Sequence, residues 1–343
     1  MKARTSLALI VLGAASLAAA LILRPADDAG PTGSGQLVFP KVAAVLPSAT
    51  QVQIESAGKA STLELKGKSW GLAERADYPI IESKLRELFA GLTELRLTEP
   101  RTSDPTEYAR LGVENPGATG TSTLLTVRNA SGATLATLIL GHRRTRSQGG
   151  LPQAVYVRRP GEAQSWLAEG SVPADADPQS WLVRDLTDIA PAKVVKVTAT
   201  TEAGTLTFTR SGAKLVLTPA PDVKLEDYKL DEVAGALSAL TMTDVKQGPL
   251  PGTKLGTSVF TTDDGLSVTV TLAKEGKLLW ASFAADGKGA EALKKLDGWA
   301  YQLADWRQSS LLPTMADIKA PEPAKPAAAA ASPAPAPAPE PPK

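Results

Sequence analysis

The feature that most constrains the fold is an order of elements that the chain writes twice. After Val42, "QVQIES" and "STLELKG" alternate apolar and polar residues around an Ala57-Gly58 turn, and "SWGL" adds a third short strand. Beyond Pro79 the period changes. Ile81, Leu85, Leu88, Leu92 and Leu95 recur at helical spacing, with Glu82, Lys84, Arg86 and Glu87 on the opposite side. Two hairpin strands follow in "TLLTVRNASGATLATLILG", turning at Asn129 to Gly132, and then "AVYVRR" and "QSWLAE". From Lys193 the pattern restarts. "KVVKVTATTEAGTLTFTRSGAKLVL" holds three strands, and "YKLDEVAGALSAL" holds a helix with Leu230, Val233, Leu237 and Leu240 on its apolar face. "SVFTTDDGLSVTVTLA", "LLWASF" and "WAYQLADW" complete the second pass. Helical turns around Trp181 and Trp306 are expected to close the two passes.

Alternating strands leave one sheet face to bury, and an amphipathic helix can cover it. The predicted fold is therefore α+β: two similar tandem units, residues 42–190 and 191–318, each an antiparallel sheet with a packed amphipathic helix. An N-terminal transmembrane helix and a linker of turn-forming residues at 25–41 precede them. Whether the two units share one sheet is left open by the pattern.

The first 24 residues carry the localisation signal. Lys2 and Arg4 precede an uncharged run from Thr5 to Leu23, which Arg24 ends. A helix of that length spans about 28 Å, close to the thickness of a bilayer's hydrocarbon core. Ala18-Ala19-Ala20 offers a small-residue cleavage site, so an uncleaved signal-anchor and a cleaved signal peptide both remain open. In either case the basic flank directs the rest of the chain out of the cytoplasm. The expected location is the bacterial cytoplasmic (inner) membrane, crossed once by residues 5–23, with the bulk of the chain periplasmic.

Residues 319–343 read "KAPEPAKPAAAAASPAPAPAPEPPK". Alternating proline excludes a helix and favours polyproline II, extended at about 3.1 Å per residue. A solvated, disordered tail and a spacer or docking peptide for a partner are the two readings.

Charge and residue usage exclude several chemistries. Of 37 basic residues, Lys2, Arg4 and Arg24 belong to the leader, which leaves 34 against 36 acidic ones. So balanced a surface does not recruit nucleic acid. There is no cysteine, hence no disulfide, thiolate metal site or cysteine nucleophile. His142 is the only histidine, in "GHRRTRSQGG". No G-x-S-x-G elbow accompanies it and zinc would lack a second imidazole, so it reads as a solvated loop residue. Its neighbours Arg143, Arg144 and Arg146 are the candidate contacts for an anionic headgroup or glycan, set against a plain charged hairpin end. Asp263-Asp264-Gly265 reads as a hairpin turn and Asp175 to Asp177 as a turn or cap. The six tryptophans are expected to pack in the core or between elements, with an aromatic sugar-binding platform as the alternative. No cofactor and no metal are expected.

Three further stretches occur in fixed order: "YARLGVENP" (Tyr108 to Pro116), "LILGHRR" (Leu138 to Arg144) and "QAVYVRRPGEAQSWLAEG" (Gln153 to Gly170). They precede "SWLVRDL", and together the series resembles the bacterial domain-of-unknown-function family 4340. The resemblance runs from Val42 to Ile318. It departs from the family pattern at Val113, where leucine is usual, and in the second unit, where Trp306 and Arg307 are adjacent and no Gly-x-x-Pro element occurs. It implies an extracytoplasmic repeat protein anchored by an N-terminal helix, often encoded beside an ABC-type export permease and a gliding-motility-like auxiliary subunit. It implies no catalytic residues. The expected function is thus a non-enzymatic accessory or scaffold protein acting by protein–protein contact with an ABC-type envelope transport complex. The alternative is an envelope ligand-binding module for peptidoglycan or anionic lipid headgroups, with an envelope hydrolase behind it.

Overall fold

The computed structural model describes residues 35–144 and 153–320. The chain divides into two compact units after Val183. Among the described residues no helix is long and apolar enough to cross a membrane. The expected anchor at 5–23 and the tail from 321 onward lie outside the described residues.

The first unit begins with β1 (Ala49–Ser56), β2 (Lys59–Lys66), β3 (Ser69–Leu72) and β4 (Tyr78–Pro79), then α1 (Glu82–Glu94) and β5 (Arg96–Pro100). It continues with β6 (Thr123–Asn129), β7 (Thr134–Arg144), β8 (Ala154–Arg158) and β9 (Ser165–Glu169). These nine strands form one antiparallel sheet in the order β4-β3-β2-β1-β6-β7-β8-β9-β5. In β1 the alternation places Val52 and Ile54 in the core. In α1 the buried positions are Leu85, Leu88 and Leu92, three and four residues apart. Ile81 does not join that stripe: it is the residue before the helix and is exposed. Phe89 of α1 meets Trp70 of β3 edge-on at 6.1 Å between ring centroids. Gly91 allows α1 to lie against the segment after β9, since a Cβ there would sit 2.2 Å from the Ser171 carbonyl oxygen.

Two expectations for this unit need correction. Residues 36–38 are not linker, because Leu97 donates to the Gln36 carbonyl and Val38 to that of Leu95, which buries Val38. The unit also ends at Val183 rather than at 190. Arg184 accepts a bond from Met242 and Ile189 donates to Leu237, so 184–190 belongs with the second unit.

The second unit contains β10 (Asp185–Thr187), β11 (Val194–Thr201), β12 (Gly204–Ser211), β13 (Lys214–Leu217), α2 (Asp227–Ala234), β14 (Leu240–Thr241) and β15 (Asp244–Gln247). Then come β16 (Thr253–Thr262), β17 (Leu266–Glu275), β18 (Leu278–Gly287) and β19 (Trp299–Leu303). Its main sheet runs β13-β12-β11-β16-β17-β18-β19-β15, and β10 pairs with β14 in a small second sheet. Val197, Phe208, Phe260, Val268 and Val270 carry the core of the main sheet. The helix predicted to reach Leu240 stops after Ala234. Gly235 caps it and Ala239 turns with positive φ, so Leu240 enters the core from a strand.

The β16–β17 turn follows from Asp263-Asp264-Gly265, with Gly265 at φ +89°. The Thr262 hydroxyl donates to the Asp264 carboxylate and Lys193 approaches it. These bonds, the Thr262 one foremost, hold the Asp264 carboxyl below the usual carboxylate range. A depressed carboxyl stabilises the fold above its unfolded pKa, and that contribution is lost as pH falls through the folded value. Thr262→Val is therefore expected to raise the Asp264 pKa toward the ordinary aspartate range. NMR titration of its carboxyl carbon checks this; an unchanged pKa would show that the hydroxyl does not set it.

Candidate functional site

Three places gather the residues that the sequence singles out. The first is the segment Tyr108 to Pro116. Leu138, Ile139 and Leu140 are consecutive and all buried, so both faces of β7 are covered there. Tyr108 and Val113 provide the second cover, packing with Ile139 beside Leu124 and Tyr156. Gly112 makes this possible at φ +67°, capping the short helix Tyr108–Leu111. Gly141 completes the joint, because a Cβ there would stand 2.3 Å from the Leu111 carbonyl oxygen.

Arg158 of β8 fastens the segment. It is 4% exposed and donates through Nε to the Val113 carbonyl at 2.8 Å, through Nη1 to the Glu162 carbonyl at 3.2 Å and through Nη2 to Asn115 Oδ1 at 2.5 Å. Its guanidinium lies 4.5 Å from the centroid of Tyr108, whose hydroxyl donates to the Ala163 carbonyl. Glu114 Oε1 accepts from the backbone N–H groups of Thr121 and Ser122. These motif residues hold two strands and a loop together, and every donor named here is spent on protein oxygen. The segment is a structural joint.

The second place is the end of β7. His142 is exposed but lies in the strand, not in a loop, and its Nε2 is 2.9 Å from the Thr121 hydroxyl. β7 is longer than its alternation suggests because Arg143 and Arg144 pair with Val155 and Ala154 across a register shift after Leu140. The irregularity lets both arginines line one cleft of about 210 Å³, with Gln153, Gly170 and Ser171. Arg143 donates to the Val172 carbonyl at 3.1 Å. Arg144 has no carboxylate within ion-pair distance among the described residues. Arg146 lies outside the described residues. Guanidinium, amide and hydroxyl donors in one cleft suit an anionic oxygen ligand.

The third place is the closing turn at Trp306, which differs from its counterpart at Trp181. Of the two tryptophans that close the passes, Trp181 is fully buried after a single turn at Pro178–Ser180. Its indole N–H donates to the Asp175 carbonyl at 2.8 Å and Lys84 lies over its ring at 4.4 Å. Asp177 caps that turn through the Gln179 N–H, as its spacing predicts. Trp306 instead is 68% exposed, contrary to the expectation that it packs between elements. It borders a cleft of about 440 Å³ between α2, which presents Lys229 and Glu232 before its cap Gly235, and the turn Asp305–Arg307 with the short helix Gln308–Leu311 that carries Ser309. Arg307 stacks on it at 4.3 Å while donating to the Ala239 carbonyl. Burial lowers the Arg307 pKa, yet a guanidinium stays charged at neutral pH. A signal for the difference existed in the neighbours: Leu182 and Val183 follow Trp181, whereas Asp305, Arg307 and Gln308 surround Trp306. Among the described residues no group of acidic or histidine side chains is arranged to hold a metal ion.

The joint, with Gly141 under Leu111 and Arg158 through Val113, ties together the stretches that carried the resemblance. The family described as Domain of unknown function (DUF4340) matches residues 70–257, just over half of the chain. The chain belongs to that family. The DUF4340 match begins in β3 of the first unit and ends in β16 of the second, narrower than the stretch from Val42 to Ile318 expected from the motifs. It includes the joint and the Arg143–Arg144 cleft but stops short of Trp306. Neither the curated proteins nor the solved structures contain a significant match to the chain.

Proposed function

We propose that this DUF4340 protein is a membrane-anchored, extracytoplasmic accessory or scaffold protein that works by protein–protein contact with an ABC-type envelope transport complex. Two tandem units of one plan make up its exported part. The sheet orders support the tandem reading: from β3 to β5 in the first unit and from β13 to β15 in the second, strand follows strand in the same sequence. The uncharged run at 5–23 after Lys2 and Arg4 supports the anchor. The observation that carries the contact reading is the exposure of Trp306 beside a cleft, with Arg307 stacked on it. Tryptophan and arginine are the residues most enriched at the energetic centres of protein interfaces.

A photo-crosslinking amino acid at position 306 of the full chain, in cells, tests this directly. The expected adduct joins the protein to a permease or auxiliary subunit of an ABC-type transporter. Recovery of the uncrosslinked chain alone, both from this variant and after general crosslinking and detergent extraction, would sink it. A second reading has its own observation. The cleft at Arg143 and Arg144 suits peptidoglycan or anionic lipid headgroups. In the same experiment, reversing both charges to glutamate leaves the position-306 adduct intact under the first reading. Under the second it abolishes retention on cell-wall sacculi or phosphatidylglycerol vesicles.

A further inference from the structure

We propose that the solvent face of the second unit's main sheet binds a second copy of this chain, face to face, about a two-fold axis that runs along the strands between β16 and β17. The inference is independent of the transporter contact proposed above.

The strand register lays this face out in rows. Lys196 of β11 stands opposite Thr261 of β16, Thr261 opposite Ser267 of β17, and Ser267 opposite Asp286 of β18. Two and four residues along each strand lie two more rows, which hold only threonine, serine, alanine and valine. Every side chain in the three rows is exposed or half-buried. Soluble surfaces usually intersperse charges of both signs. Here Lys196 and Asp286 are the only charges in the rows, and neither forms an ion pair among the described residues.

At the matching place in the first sheet the face is covered. There Leu124, Ile139 and Arg158 share a row across β6, β7 and β8, and Tyr108 and Val113 pack over it. Both covering residues belong to the long connection 101–122 between β5 and β6. In the second sheet β16, β17 and β18 follow one another in the same order, and the row there is Thr257, Thr271 and Ser282. The connection from β15 to β16 is only residues 248–252, and these rows stay open to solvent. Hydroxyls stand where the first sheet has apolar side chains and an enclosed arginine.

Charge and symmetry name the occupant. Threonine and serine hydroxyls both donate and accept, so these rows can meet their own kind. A two-fold axis along the strands reverses the order β11-β16-β17-β18 and keeps each row at its own height. It lays Lys196 over the second copy's Asp286, and Asp286 over the second copy's Lys196. The only two charges of the face thereby form two ion pairs. An axis across the strands would instead set Lys196 over Thr200 and pair neither charge. Four strands about 4.8 Å apart and three rows about 6.7 Å apart present roughly 400 Å² per copy. That is about half of a standard interface, so the contact is weak and reversible.

Sedimentation velocity of the full chain in detergent micelles, over a range of protein concentration, tests this. A reversible monomer–dimer equilibrium is expected. Lys196→Glu and Asp286→Lys each turn both ion pairs into like-charge contacts and should weaken the dimer about ten-fold. An equimolar mixture of the two variants should regain the parent affinity, because both contacts of the mixed dimer again join opposite charges. That recovery also shows that neither variant is misfolded. The chain has no cysteine, so Thr198→Cys in one tagged copy and Ala284→Cys in a second supply a single pair of thiols. The two positions share a row and face each other across the axis. A bismaleimide that spans sheets packed about 10 Å apart should join the two tags, and either variant alone should give little product. A chain that stays monomeric, a dimer indifferent to the charge reversals, or a mixture that does not recover overturns the proposal. So does equal crosslinking from one cysteine variant alone.

Discussion

Trp181→Ala is expected to cost the first unit about 3–5 kcal/mol, the range for removing a large aromatic from a close-packed core. The side chain is fully buried, its N–H is bound to the Asp175 carbonyl, and Lys84 loses its seat over the ring. The same change at Trp306 should move stability by about 0.5 kcal/mol or less, because a mostly exposed ring leaves no cavity behind. Urea unfolding of the two variants beside the parent chain measures both. A comparable loss at the two positions would mean that Trp306 packs in solution, and the contact surface built on its exposure would go with it.

Arg158→Leu is the second large effect. The change removes a charge that has no carboxylate partner among the described residues and leaves the Val113 and Glu162 carbonyls and the Asn115 amide oxygen without their donor. Hydrogen bonds to charged groups contribute about 1.5–3 kcal/mol, and an orphaned buried acceptor costs about 1–3 kcal/mol. Some of these losses overlap, so a total of roughly 3–5 kcal/mol is expected. Arg158→Lys should recover little of it. A single ammonium has no planar fork to serve three acceptors while stacking on Tyr108. Loss of the slow-exchanging amides of Tyr108 to Val113 ahead of global unfolding would localise the damage to the joint. Full retention of stability by the leucine variant would contradict the structural role assigned to the motif.

Together these variants separate what holds the DUF4340 motif in place from what the protein uses. The motif residues Tyr108, Gly112, Gly141 and Arg158 face one another and exhaust their polar groups internally. The candidate contacts at Arg144 and Trp306 instead keep exposed or unshared surface.

Much of this was legible in the residues. Alternation located every long strand, because a half-buried strand must place apolar side chains every second residue. The Asp263-Asp264-Gly265 turn followed from the positive φ that Gly265 adopts. The stripe Leu85, Leu88 and Leu92 announced α1. Less was legible at the edges. The strands β5 and β15 carry few buried residues, and their pairing partners β9 and β19 are distant in sequence, so no local pattern marks them. α2 was overextended because Leu237 and Leu240 keep a helical spacing while Gly235 ends the helix beneath them.

What the residues determined by themselves was the succession of elements, the uncharged run at 5–23, the missing cysteines and the proline-rich stretch from 321 on, since periodicity, charge and backbone chemistry are local properties. Tertiary structure alone decided that Arg158 reaches Val113, that Arg143 and Arg144 share a cleft, and that Trp181 is enclosed while Trp306 faces solvent. Enclosure depends on which distant segments arrive around a side chain, and no window of neighbouring residues contains that information.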